Sequence, residues 1–146
     1  IGDVPNSFAV IANELHVLCT GDENWGIGDD TPASIWKYEG SSNGAMKVAA
    51  PGNIGSHAIG LSTDGTDAYF LNATYDGAIV KWAPGQNWPN STLTLPGGYN
   101  LNLHNNNLYF FDAKDYASSG EVRVYSTTGS LLETIPAGVI PRQLIY

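Results

Sequence analysis

Residues 108–136, LYFFDAKDYASSGEVRVYSTTGSLLETIP, contain three short runs of β-branched and aromatic residues separated by turn-forming residues. The same order of runs occurs twice earlier in the chain, within residues 15–51 and 68–96. In each unit the second run closes on an aromatic residue, and these aromatics, Tyr38, Trp82 and Tyr125, lie 44 and 43 residues apart. A period in the forties with several short strands per unit is typical of β-propeller blades. The sequence therefore predicts an all-β fold, a β-propeller.

Each unit is predicted to form one four-stranded antiparallel blade, with strands A to D in chain order. The three blades span about residues 1–52, 53–97 and 98–138 of a single propeller segment. Residues 139–146 align with the start of the chain and are predicted to form the inner strand of a next blade. Closed propellers typically need four to eight blades, and open blade edges invite pairing. We therefore expect an incomplete ring, which is either part of a larger propeller or is closed by further copies of the chain.

Composition limits the classes of partner. The 146 residues carry a net charge of −8, and 42% of them are hydrophobic, which suits a packed globular chain. An acidic surface repels phosphate backbones and anionic lipids, so the charge argues against nucleic-acid and membrane-surface binding. Cys19 is the only cysteine, which excludes an internal disulfide. No apolar run approaches the roughly 18 residues that span a bilayer, so no membrane insertion is predicted.

The third unit and part of the first carry a family resemblance. The matching positions are Gly120-Glu121-Val122-Arg123-Val124-Tyr125, Gly129, Thr134-Ile135-Pro136-Ala137-Gly138, Pro141-Arg142, Val17-Leu18 and Glu23-Asn24-Trp25-Gly26. These positions resemble the YVTN or YncE-like family of propellers, although Ser126 stands where that family usually has Asp. The resemblance implies a seven-bladed propeller that is exported to the bacterial periplasm or cell surface. It implies no particular function, since propellers serve many unrelated roles.

The loops between strands B and C concentrate negative charge. Three loops, over about residues 20–33, 73–77 and 113–120, are expected on the same face of the propeller as the connections that enter each strand A. With their flanking residues they contain half of the 14 acidic residues: Asp22, Glu23, Asp29, Asp30, Asp76, Asp112 and Asp115. Trp25, Tyr75 and Tyr116 in these loops could form apolar platforms for sugar rings or peptides. We therefore expect a protein or carbohydrate ligand on this face.

A second set of candidates is expected near the central axis. Counting six residues past each proline that closes strand D gives His57, Asn102 and Arg142, and Asn6 aligns with them in the first unit. These polar side chains could contact a ligand above the channel. Alternatively, they could serve only to satisfy backbone groups around the axis.

The long first loop is also a candidate metal site. Asp22, Asp29 and Asp30 could bind Ca²⁺, which prefers oxygen ligands. Their spacing does not match an EF-hand, so a solvated acidic loop is the alternative. No other cofactor is predicted.

Catalysis finds little support in the sequence. His16, His57 and His104 are scattered, and none lies in a nucleophile-elbow or zinc-binding pattern. Our first hypothesis is a non-enzymatic binding or scaffold module. The alternative is a propeller enzyme, lyase-like, with its site at the channel mouth, and it requires convergent histidine, arginine and carboxylate groups there.

Overall fold

The computed structural model describes residues 1–22, 30–40, 44–51, 57–73, 77–88, 93 and 98–145. These residues form eleven strands and no helix. The strands are β1 (Pro5–Ile11), β2 (Glu14–Cys19), β3 (Ser34–Glu39), β4 (Gly44–Ala49), β5 (Ile59–Thr63), β6 (Ala68–Leu71), β7 (Ile79–Trp82), β8 (Asn100–His104), β9 (Asn107–Asp112), β10 (Glu121–Ser126) and β11 (Leu131–Pro136). The parts of the chain that the structure describes contain no helix able to span a membrane.

The strands form three antiparallel sheets in which chain neighbours pair. Blade 1 is β1-β2-β3-β4, blade 2 is β5-β6-β7, and blade 3 is β8-β9-β10-β11. Blades 1 and 3 therefore have the four strands that the repeat predicts. In blade 2, the predicted strand D over residues 92–95 lies largely outside the described residues. Leu93, which is described, donates its backbone N–H to the carbonyl oxygen of Ile79 at 2.8 Å, so it lies beside β7 as a fourth strand would.

Two tight turns set the register of the innermost hairpins. Ala12 and Asn13 join β1 to β2 with φ of 50° and 64°, and Asn105 and Asn106 join β8 to β9 with φ of 48° and 59°. Two consecutive positive φ values are typical of a type I′ turn, whose twist matches that of the paired strands. Asparagine tolerates this left-handed conformation better than most residues. Positions in β1 and β8 can therefore be compared by counting back from the turn.

The blades pack face to face and divide the core into two layers. Ile11, Leu18 and Ile35 of blade 1 pack in one cluster with Phe70 and Trp82 of blade 2.

The opposite face of blade 2 supplies the second layer. Tyr69, Leu71 and Ile79 pack in a second cluster with Leu101 and Tyr125 of blade 3. Because alternate residues of a strand point to opposite faces, β6 is buried on both sides and all four of its residues are core. Blade 2 therefore lies between blades 1 and 3, which confirms a partial β-propeller.

Residues 139–145, the tail, lie beside β8 but form no strand. Asn102 Oδ1 accepts a hydrogen bond from the Leu144 N–H at 3.0 Å, and Asn100 Nδ2 donates to the Arg142 carbonyl at 2.8 Å. These contacts parallel those between β1 and β5, where Asn6 Oδ1 accepts from the Gly60 N–H at 3.1 Å. The described tail is in none of the three sheets, and its predicted role as the inner strand of a next blade stays a prediction. A strand requires a backbone pairing partner, and the tail is held by side chains instead.

Candidate functional site

The innermost segments of the three blades surround an open cavity of about 600 Å³. Its lining comprises Asn6 and Ser7 in β1, residues 59–61 in β5, residues 99–102 at the start of β8, and Arg142 and Gln143 in the tail. The volume is within the range of small-molecule binding sites. None of the described residues lining this inner-strand cavity is a carboxylate, a histidine or a cysteine.

Three of the four residues predicted near the axis meet at this cavity, namely Asn6, Asn102 and Arg142. The side-chain oxygens of Asn6 and Asn102 each accept a backbone N–H from the next innermost segment. Each asparagine therefore satisfies a backbone group, as the alternative interpretation of the sequence expected. A backbone N–H donates, and only the oxygen of a carboxamide can accept. The hydrogen bond therefore also fixes the positions of Oδ1 and Nδ2 in each side chain.

Arg142 lies against an aromatic pair at the edge of the cavity. Its guanidinium is 5.4 Å from the centre of the Tyr99 ring, within cation–π range. Tyr99 in turn meets Tyr116 edge to face, with ring centres 5.7 Å apart. Tyr116, in the loop that follows β9, is 44% exposed and contacts Tyr99 without itself lining the cavity. The sequence analysis missed Tyr99, although its place directly before an inner strand was a usable signal.

His57, the fourth predicted member, does not line the cavity. Its side chain is buried between the first loop and blade 2, and the residue is 6% exposed. Nδ1 lies 3.2 Å from the carbonyl oxygen of Thr20, which can only accept, so Nδ1 carries the hydrogen. Nε2 lies 3.4 Å from Asp30 Oδ1. Burial against these two groups explains why His57 is separated from Asn6, Asn102 and Arg142.

The candidate calcium ligands are only partly described. Asp30 faces His57, and its Oδ1 is buried without a hydrogen-bond partner among the described residues. The backbone of Asp22 pairs with Thr31, whose hydroxyl accepts the Asp22 N–H at 2.8 Å. Asp29 lies outside the described residues, as do the two predicted platforms Trp25 and Tyr75. Within the described ranges no three potential ligand side chains form a metal-binding group, and calcium binding stays a prediction.

The described part of the acidic face differs from loop to loop. Asp112 forms an ion pair with Arg123 at 2.8 Å, and Glu121 pairs with Arg123 at 2.6 Å and with Lys114 at 3.2 Å. The hydrogen bond from Arg123, followed by that from Lys114, lowers the pKa of Glu121. Near blade 3, much of the predicted negative charge is therefore compensated.

Asp115 keeps its charge by a different means. Its carboxylate accepts the N–H groups of Ser118 and Ala117 at 2.7 and 3.1 Å, together with the Ser118 hydroxyl at 2.8 Å. The bonds from Ser118 and then Ala117 lower the pKa of Asp115 to about 2. Within the described chain no cation pairs with it, so Asp115 presents an exposed negative charge on this face.

Comparisons with known proteins support the fold. No family model matches the chain, and no curated protein matches it. A quinoprotein alcohol dehydrogenase-like protein from Bacteroides thetaiotaomicron superposes with a TM-score of 0.61 at 21% identity, over 93% of this chain and 34% of the other. A chain of a nidogen/laminin complex superposes with a TM-score of 0.55 at 14% identity, over 84% of this chain and 42% of the other.

Both similarities are to propeller-type folds, and at these identities they show the fold alone. The chain spans about a third of the length of the first solved structure and under half of the second.

Proposed function

We propose that this chain is a non-enzymatic binding module that takes a protein or glycan ligand at the inner-strand cavity and the loops beside it. The observation that carries the proposal is the lining of the cavity. It offers amides, a phenol and a guanidinium, which bind and orient a ligand, but none of its described residues is a carboxylate or a histidine, the commonest catalytic bases. The Ser7 hydroxyl is committed to the backbone, since it accepts the Leu61 N–H at 2.8 Å.

The enzymatic alternative requires an acid–base pair next to Arg142. The histidine predicted to converge with Arg142 is His57, but its ring is buried between Thr20 and Asp30, away from the cavity lining. A lyase-like reaction needs a base within hydrogen-bond reach of the proton that it removes. The geometry of the described residues therefore favours binding over catalysis.

We also propose the finer family assignment and location. The third-unit pattern at Gly120–Tyr125 and Pro141-Arg142 supports a YncE-like propeller, exported to a bacterial periplasm or surface. Further blades would cover blade 1, supplied by the remainder of a longer propeller or by a second copy. The short span of the chain relative to the solved propellers supports the first of these.

Screening the purified chain on a glycan array, together with a Tyr116→Ala variant, tests the binding function. We expect the variant to bind roughly threefold to tenfold more weakly, because one aromatic contact surface is lost. Tyr38→Ala is a matched control, since Tyr38 is 43% exposed, similar to Tyr116, but lies in β3 of blade 1, whereas Tyr116 contacts the lining residue Tyr99.

Incubation of bound glycans with the chain, followed by mass spectrometry, separates binding from catalysis. Unchanged ligand masses are expected. Cleavage of a bound glycan would show that the chain is an enzyme, and equal losses in the two tyrosine variants would place the ligand elsewhere.

A further inference from the structure

The inner-strand cavity presents donors that its own fold does not use. Asn6 Oδ1 accepts a hydrogen bond from the Gly60 N–H, and Asn102 Oδ1 accepts one from the Leu144 N–H. In each side chain the Nδ2 group therefore points away from that backbone N–H. Among the described residues, neither Nδ2 has an acceptor. Asn100 differs, since its Nδ2 donates to the Arg142 carbonyl and its Oδ1 accepts the Leu101 N–H. Asn6 and Asn102 therefore have donors to offer, whereas Asn100 is structural.

Arg142 adds an uncompensated positive charge to these donors. The chain has six lysine and arginine residues. Four of them form ion pairs with carboxylates, at Lys37, Lys81, Lys114 and Arg123. Within the described residues Arg142 has no carboxylate partner and contacts the Tyr99 ring instead.

Lys47 also has no carboxylate partner in the described chain, but it lies outside the cavity. Arg142 differs because it lies at a cavity whose described lining contains no carboxylate, although the protein has a net charge of −8. A guanidinium offers up to five N–H donors in a fork that fits an oxyanion, and amide N–H groups add neutral donors of the same kind. A ligand group that only accepts hydrogen bonds and carries negative charge would complement this set.

We infer that the cavity binds the oxyanion of an acidic sugar, a carboxylate or a sulfate ester, through Arg142 and the side-chain amides of Asn6 and Asn102. The exposed ring of Tyr116 beside Tyr99 favours a sugar over an isolated anion, because an aromatic face can pack against the C–H groups of a pyranose ring. This inference rests on the proposed binding function and names the ligand class for the same site.

The most direct test uses matched ligands and calorimetry on the whole chain. The probes are methyl glucuronide, its uncharged methyl ester and methyl glucoside. We expect the charged sugar to bind roughly tenfold or more tightly than the ester, since hydrogen bonds to a charged group are the stronger ones. Equal binding of the two, or no binding of either, would overturn the inference. Equal binding of acetate or sulfate alone would show that the site takes any small anion and would remove the sugar from the assignment.

Three variants locate the interaction. Arg142→Gln should reduce binding of the charged sugar roughly tenfold or more and reduce binding of the ester by a smaller factor, because the ester has no charge to lose. Asn6→Asp keeps an oxygen that can accept the Gly60 N–H but replaces the Nδ2 donor with a negative charge. It should therefore also weaken the binding of the charged sugar. Lys47→Gln is the matched control, because Lys47 is an exposed cation without a carboxylate partner in the described chain and lies outside the cavity lining.

The outcomes also separate this inference from the proposed function. A neutral glycan that binds through Tyr116 and is insensitive to Arg142→Gln would support the binding module and overturn the acidic-sugar assignment. An equal effect of Lys47→Gln and Arg142→Gln would mean that only net charge matters, and would overturn the site. If neither the array nor the glucuronide probes show binding, the acidic-sugar assignment fails, and so does the glycan half of the proposed function, which leaves a protein as its ligand.

Discussion

Tyr38, Trp82 and Tyr125 occupy the same position in three blades but have different surroundings. Trp82 and Tyr125 are 0% and 4% exposed, because each packs against the preceding blade, whereas Tyr38 is 43% exposed. We call the face of a blade that bears this aromatic its front face. The comparison teaches that the repeat specifies the side chain, while a neighbouring blade decides whether that side chain stabilises the fold.

The innermost strands show the same contrast. Counted back from their turns, Phe8 and Val10 in β1 correspond to Leu101 and Leu103 in β8. Phe8 is 74% and Val10 57% exposed, whereas Leu101 and Leu103 are buried. The front face of blade 1 is therefore as apolar as the others but is not covered by the described residues.

The largest expected effect is at Trp82. Trp82→Ala should lower the free energy of unfolding by about 3–5 kcal/mol, since it removes a fully buried ring between blades 1 and 2. Its Nε1 hydrogen bond to the Gln86 carbonyl, at 3.1 Å, is lost as well. Urea unfolding of the Trp82→Ala and Tyr38→Ala variants measures this difference. Similar losses of unfolding free energy in the two variants would contradict the role assigned to the neighbouring blade.

Leu101→Ala should lower the free energy of unfolding by about 2–5 kcal/mol, because removing the side chain leaves a void in the core layer between blades 2 and 3. Phe8→Ala at the corresponding position should change the free energy of unfolding by less than about 1 kcal/mol, since the ring is largely in solvent. Thermal unfolding of both variants tests this pair. If Phe8→Ala lowered the free energy of unfolding of a monomeric chain by much more than this, the Phe8 ring would have to be buried by another part of the same chain.

The uncovered front face should promote association of isolated chains. The double variant Phe8→Ser, Val10→Ser should reduce self-association in light scattering at high protein concentration, with little change in unfolding. Leu131→Ser, Leu132→Ser is a control, because these exposed side chains lie in the outermost strand of blade 3. Association that responds only to the control pair would place the contact on blade 3.

The smallest expected effect is on the exposed loop after β9, away from both core layers. The pKa of Asp115 is about 2 in the folded chain against an ordinary value of 3.8, so the ionised carboxylate stabilises the fold. This contribution is complete above about pH 4 and is lost as the pH falls through about 2. Asp115→Asn should therefore be less stable than the parent chain at pH 5, and the difference should shrink toward pH 2. Unfolding curves at several pH values measure this, and a difference that grows in acid would contradict it.

Much of the fold is predictable because its signals are local or periodic. The aromatic at the end of each second run, the alternation within strands, and the asparagines at 105–106 predict strand order and turns from the sequence alone. The alignment of the tail with the start of the chain predicts an inner strand, whereas its contacts with β8 come from the structure. Strand formation depends on a backbone partner, and the sequence of the tail does not supply one.

The candidate site was predictable in part. Asn102 and Arg142 are predicted because they lie at a fixed distance from repeated prolines, and Asn6 because it aligns with them. The propeller converts this repeated spacing into proximity around an axis. His57 satisfies the same count but is turned into the junction between blades 1 and 2. Side-chain direction depends on which buried polar groups are within reach, and a repeat count does not contain that information.

The amino-acid sequence by itself determined the repeat, the antiparallel strand order and the apolar character of each blade face, because these follow from spacing and alternation along the chain. Only the tertiary structure decided which faces are buried and which donors at the cavity are unused. It also showed that Arg142 has no described carboxylate partner in an acidic protein. These properties depend on contacts between residues distant in the chain, which form only when the blades pack together.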